Sequence, residues 1–481
     1  MAWPTVQVVG ERAVRRLVAV SNRVANPRTS AGTGGLAVGL HAALEEGGGV
    51  WFGWNGELAE NDSHEPDLRV RRGVTYATVA LQREQHEAYY NGFCNNTLWP
   101  LLHYRTGYFE FSRLEFEAYN AVNELFARKL APLLRPDDMI WVHDFHLIPL
   151  GAFLRRADQK QPLGFFLHTP LPSFEVLRSL PVYRELLRQW CAYDLIGFQT
   201  KRDLDAFLDA VSQPEIGAEV LDDGRVRCGQ RVLRAEVFPI GIDVTACAEL
   251  AAEHTHARAL ERIRASLHTR QLLIGVDRLD YSKGLPKRFQ AYERLLERYE
   301  DDRGNVVFMQ IAPRTRSGVR AYTEIRHELE QAAGNINGKY AEVDWVPLRY
   351  LNRVVDRGTL MAMFRLARIG LVTPLRDGMN LVAKEYVAAQ DPADPGVLVL
   401  STMAGAAEEL RDAVLVNPHD VDAVAEGIHS GLRMPLEERR ARHAAMLRQL
   451  ERNDIYAWRD RFLAALAATA SAHDKSAGDT A

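Results

Sequence analysis

Two carboxylates eight residues apart bracket the most chemically loaded segment of the chain, Thr373-Pro-Leu-Arg-Asp-Gly-Met-Asn-Leu-Val-Ala-Lys-Glu385. The segment leaves the apolar run Ile369 to Val372 and opens a helical pattern. Backbone N–H groups at the start of a helix have no intrahelical partner and sit at the positive end of its dipole, so Gly378, Met379, Asn380 and Leu381 could cradle a diphosphate. Asp377, just before the helix, and Glu385, about two turns inside it, could then accept hydrogen bonds from sugar and ribose hydroxyls. An N-cap Asp followed by a surface Glu would suit the same two residues.

Other polar groups also stand at the ends of apolar runs. Asp277-Arg-Leu-Asp-Tyr-Ser-Lys-Gly284 follows Leu272 to Val276 and supplies Arg278 and Lys283. Two fixed cations there could neutralise a diphosphate leaving group, a task that Mg²⁺ performs elsewhere; a pair of solvated charges is the plainer reading. Arg314 and Arg316 form another basic strand end beyond Val306 to Ala312. His143-Asp-Phe-His146 follows Met139 to Val142, and His168 follows Gly164 to Leu167, where ligands of open α/β sheets gather. No third or fourth metal ligand stands at a usual spacing from the His pair, so no metal site and no cofactor are expected. Ser21-Asn-Arg23 ends the first apolar run, and Gly32-Thr-Gly-Gly35 precedes a helical pattern from Leu36 to Leu44 without forming a dinucleotide fingerprint. Asp203-Leu-Asp205 and Asp420-Val-Asp422 resemble a metal-binding pair but fall on a helical pattern and at a helix start, where exposed side chains are expected.

The elements that must position these groups are legible as short apolar runs alternating with longer helical patterns. Runs at Leu17–Val20, Met139–Val142, Gly164–Leu167, Leu195–Phe198, Leu272–Val276, Val306–Met309, Ile369–Val372 and Val397–Leu400 suit strands buried on both faces. Helical patterns lie between them, as at Phe116–Leu134, Arg288–Tyr299, Ala321–Ala333 and Val421–Leu432. Such alternation implies parallel sheets with crossover helices, a doubly wound α/β architecture. The 481 residues exceed what one core usually supports, and Pro and Gly in Val237-Phe-Pro-Ile-Gly-Ile-Asp243 mark a boundary. Residues 1–243 are expected to form one Rossmann-like domain and 244–454 a second, with the helix at 455–469 packing back on the first and 470–481 disordered.

A net charge of −4 gives no reason to expect nucleic acid or an anionic membrane as partner, so anionic ligands would depend on local Arg and Lys clusters. Four scattered cysteines, Cys94, Cys191, Cys228 and Cys247, read as reduced thiols. With no signal peptide and no membrane-length apolar run, a cytoplasmic protein acting on small molecules is expected, and a homo-oligomer stays open.

Taken together, these pieces resemble the trehalose-6-phosphate synthases, retaining glycosyltransferases of the two-domain GT-B fold, in which two Rossmann-like domains face a central cleft. The motifs are Ser21-Asn-Arg23, Gly34-Gly-Leu36, Trp51-Phe-Gly-Trp54, Tyr89-Tyr-Asn91, Leu98-Trp-Pro100, His143-Asp144, Arg278-Leu-Asp-Tyr-Ser-Lys-Gly284 and Arg376 to Glu385. The resemblance implies glucose transfer from a nucleoside-diphosphate glucose, usually UDP-glucose, to glucose 6-phosphate. It places Arg23, Tyr90, Trp99, Asp144 and Arg316 around the acceptor, with the arginines on its phosphate and Trp99 shaping the pocket. Gly34, Gly35, Arg278, Lys283 and the Gly378–Glu385 segment, including Val382, Ala383 and Lys384, would hold the donor, with His168 and Asp377 beside the transferred glucose. His168, Arg278, Lys283 and Asp377 are thus the expected catalytic groups. Phe145, Thr169 and Val355 depart from the family pattern and bear on nucleotide preference and pocket shape.

The rival readings are a sister synthase with another acceptor, such as glycerol 3-phosphate or a cyclitol, and a silent regulatory subunit that binds sugar phosphate. Tyr90, Trp99 and Asp144 favour a pyranose, which needs an aromatic wall and hydroxyl acceptors. Intact Arg278, Lys283, Asp377 and Glu385 argue against a silent subunit.

Overall fold

The computed structural model describes residues 15–24, 40–41, 44–45, 48–60, 65–314 and 320–478, without the side chains of 320, 321 and 470–478. Ten strands build a first sheet: β1 (Leu17–Arg23), β2 (Val50–Ala59), β3 (Asp67–Arg71), β4 (Val74–Gln82), β5 (Met139–His143), β6 (Leu163–Phe166), β7 (Leu195–Phe198), β8 (Ala218–Val220), β9 (Val226–Cys228) and β10 (Arg231–Val237). Six more build a second: β11 (Gln271–Val276), β12 (Val306–Ile311), β13 (Leu348–Leu351), β14 (Ile369–Val372), β15 (Val397–Ser401) and β16 (Val414–Val416). Strands such as β1, β5, β12 and β14 are apolar and buried along nearly their whole length because helices cover both faces of a parallel sheet.

The strand order is β3-β4-β2-β1-β5-β6-β7-β10-β9-β8 in the first sheet and β13-β12-β11-β14-β15-β16 in the second. Every pairing of the second sheet is parallel. The first has antiparallel margins, where β3 pairs with β4 and β8, β9 and β10 pair in turn. Read along each parallel core, the order runs third, second, first, fourth, fifth, sixth, with β10 as a seventh strand in the first sheet, so the direction of succession reverses between β1 and β5 and again between β11 and β14. Crossovers leave such a point toward opposite faces and open a crevice at the carboxyl ends of the strands. The two crevices are bordered by Ser21–Arg23 and His143–Asp144 in one sheet, and by the loops after Val276 and Val372 in the other.

Four helices matter for the site: α1 (Leu285–Arg298), α2 (Leu381–Ala389), α3 (Leu436–Arg452) and α4 (Ile455–Gly478). The chain passes from the first sheet to the second at residues 238–243 and returns between α3 and α4. The two passages touch. A Cβ on Gly241 would collide with the backbone of Asn453 and Asp454, the Ile455 N–H donates to the Ile242 carbonyl at 3.1 Å, and the Tyr456 hydroxyl donates to Asp243 at 3.0 Å. Helix α4 then lies on the first sheet, with Phe462 stacked on Trp141 at 4.4 Å and Trp458 at 4.8 Å from the same ring. It is described as far as Gly478, and residues 479–481 of the tail expected at 470–481 lie outside the described residues. Ala470, Ala472 and Ala477 favour the helix.

Candidate active site

Four bonds from one buried guanidinium assemble the second switch point. Arg288, on α1 and almost wholly inaccessible to solvent, donates to Asp277 at 2.5 Å, Gln310 at 2.9 Å, Thr373 at 3.0 Å and the Lys283 carbonyl at 3.4 Å. It therefore ties the loop after β11 to the loop after β14. Burial raises the Asp277 carboxyl above its ordinary range even with Arg288 opposing.

Between those loops the Lys283 ammonium meets Asp377 at 2.5 Å, with side-chain exposures of only 12% and 14%. Burial pushes the Asp377 carboxyl up, but Lys283 and the amide of Asn380, at 2.9 Å, outweigh it and hold the group below its usual value. Asn380 adopts φ 76° and caps α2, its side chain accepting from the Ala383 N–H. Helix α2 thus opens at Leu381, so Glu385 lies about one turn inside it and not two. Arg278 is exposed and lies 5.6 Å from the ring centre of Trp99.

At the first switch point, Asp144 has φ 76°, a conformation that costs a non-glycine residue free energy and gathers at functional sites. Its carboxylate accepts from the His168 N–H at 3.2 Å, and the His168 ring lies 3.1 Å from His143, nitrogen to nitrogen. Burial lowers His168 to about 3 and His143 well below its ordinary value, so both rings are neutral at physiological pH.

A line of rings joins the two crevices. Arg23 stands 5.7 Å from the Trp54 ring centre, Trp54 is 6.0 Å from Tyr90, Tyr90 stacks at 5.9 Å on His146, and His146 touches Phe145 at 3.9 Å. Phe145 lies 5.8 Å from Trp99, whose other neighbour is His103 at 4.0 Å. The departure Phe145 is therefore a buried ring in this line. Thr169 is also buried, and Val355 is half-buried against the core.

The structure brings Arg23, Tyr90, Trp99, Asp144, His168, Arg278, Lys283 and Asp377 into this one region. Gly378 closes it, because a Cβ there would occupy the carbonyl oxygen of His168. Met379 and Ala383 are buried, and Leu381 and Val382 half-buried, in the start of α2. Lys384 points elsewhere. Its fully buried ammonium donates to Glu409 at 2.5 Å and to the Ile240 carbonyl at 2.7 Å, joining α2 to the passage between the sheets. Glu385 pairs with Arg357 at 3.4 Å, and burial raises its carboxyl above the usual value. Gly34, Gly35 and Arg316 lie outside the described residues, as does most of the helix expected at Leu36–Leu44. Asp203, expected to be exposed, is buried and accepts from Thr200 and the Leu171 N–H, a turn-fixing role that helical spacing did not reveal. Sequence reasoning also missed Arg288, His103, Trp54 and His86, whose ring lies 5.1 Å from Trp54 and stacks on Tyr90 at 5.3 Å, as parts of the site's framework. Trp54 alone carried a signal, as the end of a motif. No cluster of three metal-ligating side chains occurs among the described residues, nor a helix long and apolar enough to cross a membrane.

Two facing sheets of Rossmann order, with cations at one switch point and hydroxyl acceptors at the other, define a glycosyltransferase of GT-B architecture. The chain belongs to glycosyltransferase family 20, whose sequence model matches residues 6–468. The trehalose-6-phosphate synthase of Cronobacter sakazakii is 49% identical over 450 residues, covering 93% of this chain and 94% of that protein. An α,α-trehalose-phosphate synthase (UDP-forming) from Burkholderia xenovorans, solved in complex with glucose-6-phosphate, superimposes with a TM-score of 0.89 at 50% identity, covering 94% of this chain and 100% of that one. An E. coli structure bound with UDP-2-fluoro glucose gives 0.90 at 48% identity, covering 94% and 98%.

Proposed function

We propose that the chain transfers glucose from UDP-glucose to glucose 6-phosphate, releasing UDP and α,α-trehalose 6-phosphate. The observation that carries this reading is the meeting of the two switch points, with Lys283, Asp377 and Arg278 on one side and Asp144, His168 and the ring line on the other. Relatives that share about half of the sequence and were solved with glucose-6-phosphate or UDP-2-fluoro glucose support it.

In this reading Arg278 and Lys283 take the diphosphate, and the start of α2 presents its N–H groups to the nucleotide. Lys283 exchanges Asp377 for a phosphate oxygen, which frees the carboxylate to accept from a glucose hydroxyl. The acceptor's anomeric hydroxyl attacks C1 from the face that UDP leaves. The bond from C1 to the phosphate oxygen breaks, the bond to the acceptor oxygen forms, and the departing phosphate oxygen takes the hydroxyl proton. Configuration at C1 is retained. Fixed cations stabilise the charge that develops on the leaving group without reorganising during the reaction. Double displacement would need a free carboxylate beneath C1, whereas in this reading Asp377 stays bonded to the Asn380 amide and accepts from a glucose hydroxyl, which suits hydroxyl recognition better. Arg23 and Arg316 hold the acceptor phosphate, with Tyr90, Trp99 and Asp144 around its ring.

Residues 1–243 are read as the acceptor domain and 244–454 as the donor domain, with 455–469 returning to the first. The span of each sheet and the packing of Phe462 support that division. A matrix of UDP-, GDP- and ADP-glucose against glucose 6-phosphate, glucose and glycerol 3-phosphate, with product linkage determined by NMR, tests the function. The α,α-1,1 linkage from UDP-glucose and glucose 6-phosphate is expected, and preferred use of glycerol 3-phosphate would overturn it.

A further inference from the structure

Asp280 sits between the two cations in sequence, yet its side chain turns away from solvent and is fully buried. A carboxylate is buried at a large desolvation cost unless donors satisfy it. Here Oδ1 accepts from the N–H and the hydroxyl of Ser282, both at 2.9 Å, and from the indole N–H of Trp99 at 3.4 Å, while Oδ2 accepts from the Tyr322 hydroxyl at 3.1 Å. The two Ser282 bonds hold the short turn Tyr281–Lys283, which sets the direction in which Lys283 leaves the backbone. The Tyr322 bond fixes the carboxylate plane against the helix Arg320–Tyr340. The Trp99 bond differs in kind. It joins residues 181 apart in sequence and crosses from the side of the first sheet to that of the second.

Trp99 is thereby held by three groups, Asp280 at its N–H, Arg278 over its ring and His103, tilted against it at 4.0 Å. Two of those three contacts, the carboxylate and the guanidinium, belong to the loop after β11, so the orientation of the indole depends on where that loop stands. Resting on the function proposed above, we infer that Asp280 is a positioning residue for glucosyl transfer, which sets the Trp99 wall of the acceptor pocket in register with Arg278 and Lys283. One carboxylate would then make acceptor recognition conditional on the position of the donor loop.

A double-mutant cycle on the full-length enzyme tests this, using Trp99→Phe, Asp280→Ala and the pair, with kcat and KM for glucose 6-phosphate and Kd for UDP. Removing one hydrogen bond to a charged group should lower kcat/KM by about tenfold or more, so Trp99→Phe alone is expected to do that, chiefly through KM, with Kd for UDP little changed. On the Asp280→Ala background the same substitution should cost less than about threefold, because the bond it deletes is already gone. Asp280→Asn keeps the shape and one acceptor oxygen. It should fall between the wild type and Asp280→Ala, with a smaller coupling of the same sign, and it decides the matter if the alanine variant does not fold. Two losses that simply multiply, with either partner substitution, would overturn the role of Asp280. So would a rise in UDP Kd on Trp99→Phe as large as the rise in acceptor KM. If the unsubstituted chain makes no trehalose 6-phosphate, the functional reading itself fails, a result distinct from a multiplicative cycle in an active enzyme.

Discussion

Replacing Arg288 by Met should unmake the donor half of the site from beneath. The guanidinium is buried with four partners on three strand ends and a loop carbonyl, and methionine offers similar bulk without any donor. The loss leaves the Asp277 carboxylate buried without its hydrogen-bonded cation, with only the more distant Lys283 charge opposing burial, a situation that costs about 3–5 kcal/mol. With a urea slope of roughly 2.5 kcal/mol per molar, the midpoint of the unfolding transition should fall by about 1–2 M. The penalty should also depend on pH in a definite sense. Burial holds the Asp277 carboxyl above its ordinary 3.8 in the folded protein, so between those two values this group binds more protons in the folded state than in the unfolded one, and its own contribution to stability improves as pH falls. The variant, deprived of the opposing cation, should therefore recover part of its loss as the pH is lowered from neutrality toward the carboxylate range. Adding Asp277→Leu removes the stranded charge and should restore at least half of the midpoint shift, since an apolar pair can replace a buried ion pair at little cost. Urea titrations of the wild type, the single variant and the double variant at two pH values decide it. A single variant within about 1 kcal/mol of the wild type, or a double variant no better than the single, would refute the account of Arg288 as the tie between the two loops.

Three further outcomes follow from the geometry. Gly378→Ala puts a methyl group where the His168 carbonyl lies, so the halves must move apart, and kcat should drop by about 10²-fold with a smaller change in UDP Kd; unchanged kcat would refute it. His103, held by burial at about 4, and His168, at about 3, stay neutral in the fold although their ordinary value is 6.5, so stability should fall as pH drops from about 6.5 toward 3, and His103→Gln should flatten that slope in pH-dependent unfolding. Because Arg278 and Lys283 are placed to carry the diphosphate charge, turnover should survive excess EDTA, and activity restored only by Mg²⁺ or Mn²⁺ would contradict this.

The strands of both parallel cores were readable wherever they are buried on both faces, as at Met139–Val142 or Ile369–Val372, because continuous apolar runs of that length have few other uses. The strands β3, β8 and β9 left no such mark, being short, marginal and partly exposed, and β2 was visible only as the motif Trp51–Trp54. Polar strand ends pointed to the site, since Asp144, His168, Arg278 and Asp377 each follow a run. What could not be read was which groups serve as ligand contacts and which as framework. Lys384 and Asp377 sit seven residues apart in one segment, yet one ammonium is spent on Glu409 and a backbone carbonyl while the carboxylate faces Lys283. Side-chain direction on a helix start depends on what packs against it, and the Ile240 passage that captures Lys384 is far away in sequence. Arg288 was hidden for the same reason, as one more basic residue on an amphipathic helix until β12 and β14 surround it.

The contact of Gly241 with Asn453 and Asp454 joins both covalent links between the halves into a single knuckle. Two separated links would let one half slide or twist over the other; two links fused at one place leave rotation about that place as the easy motion. The knuckle borders the site on both sides, since Lys384 of α2 donates to the Ile240 carbonyl and Trp458, three residues past Ile455, stands 6.2 Å from the His168 ring, so a flexing there shifts the start of α2 against His168. Substrate entry and exit can then be governed by a residue that touches neither sugar. A side chain placed at Gly241 would have to spread the two passages, because its Cβ falls on the backbone of Asn453 and Asp454.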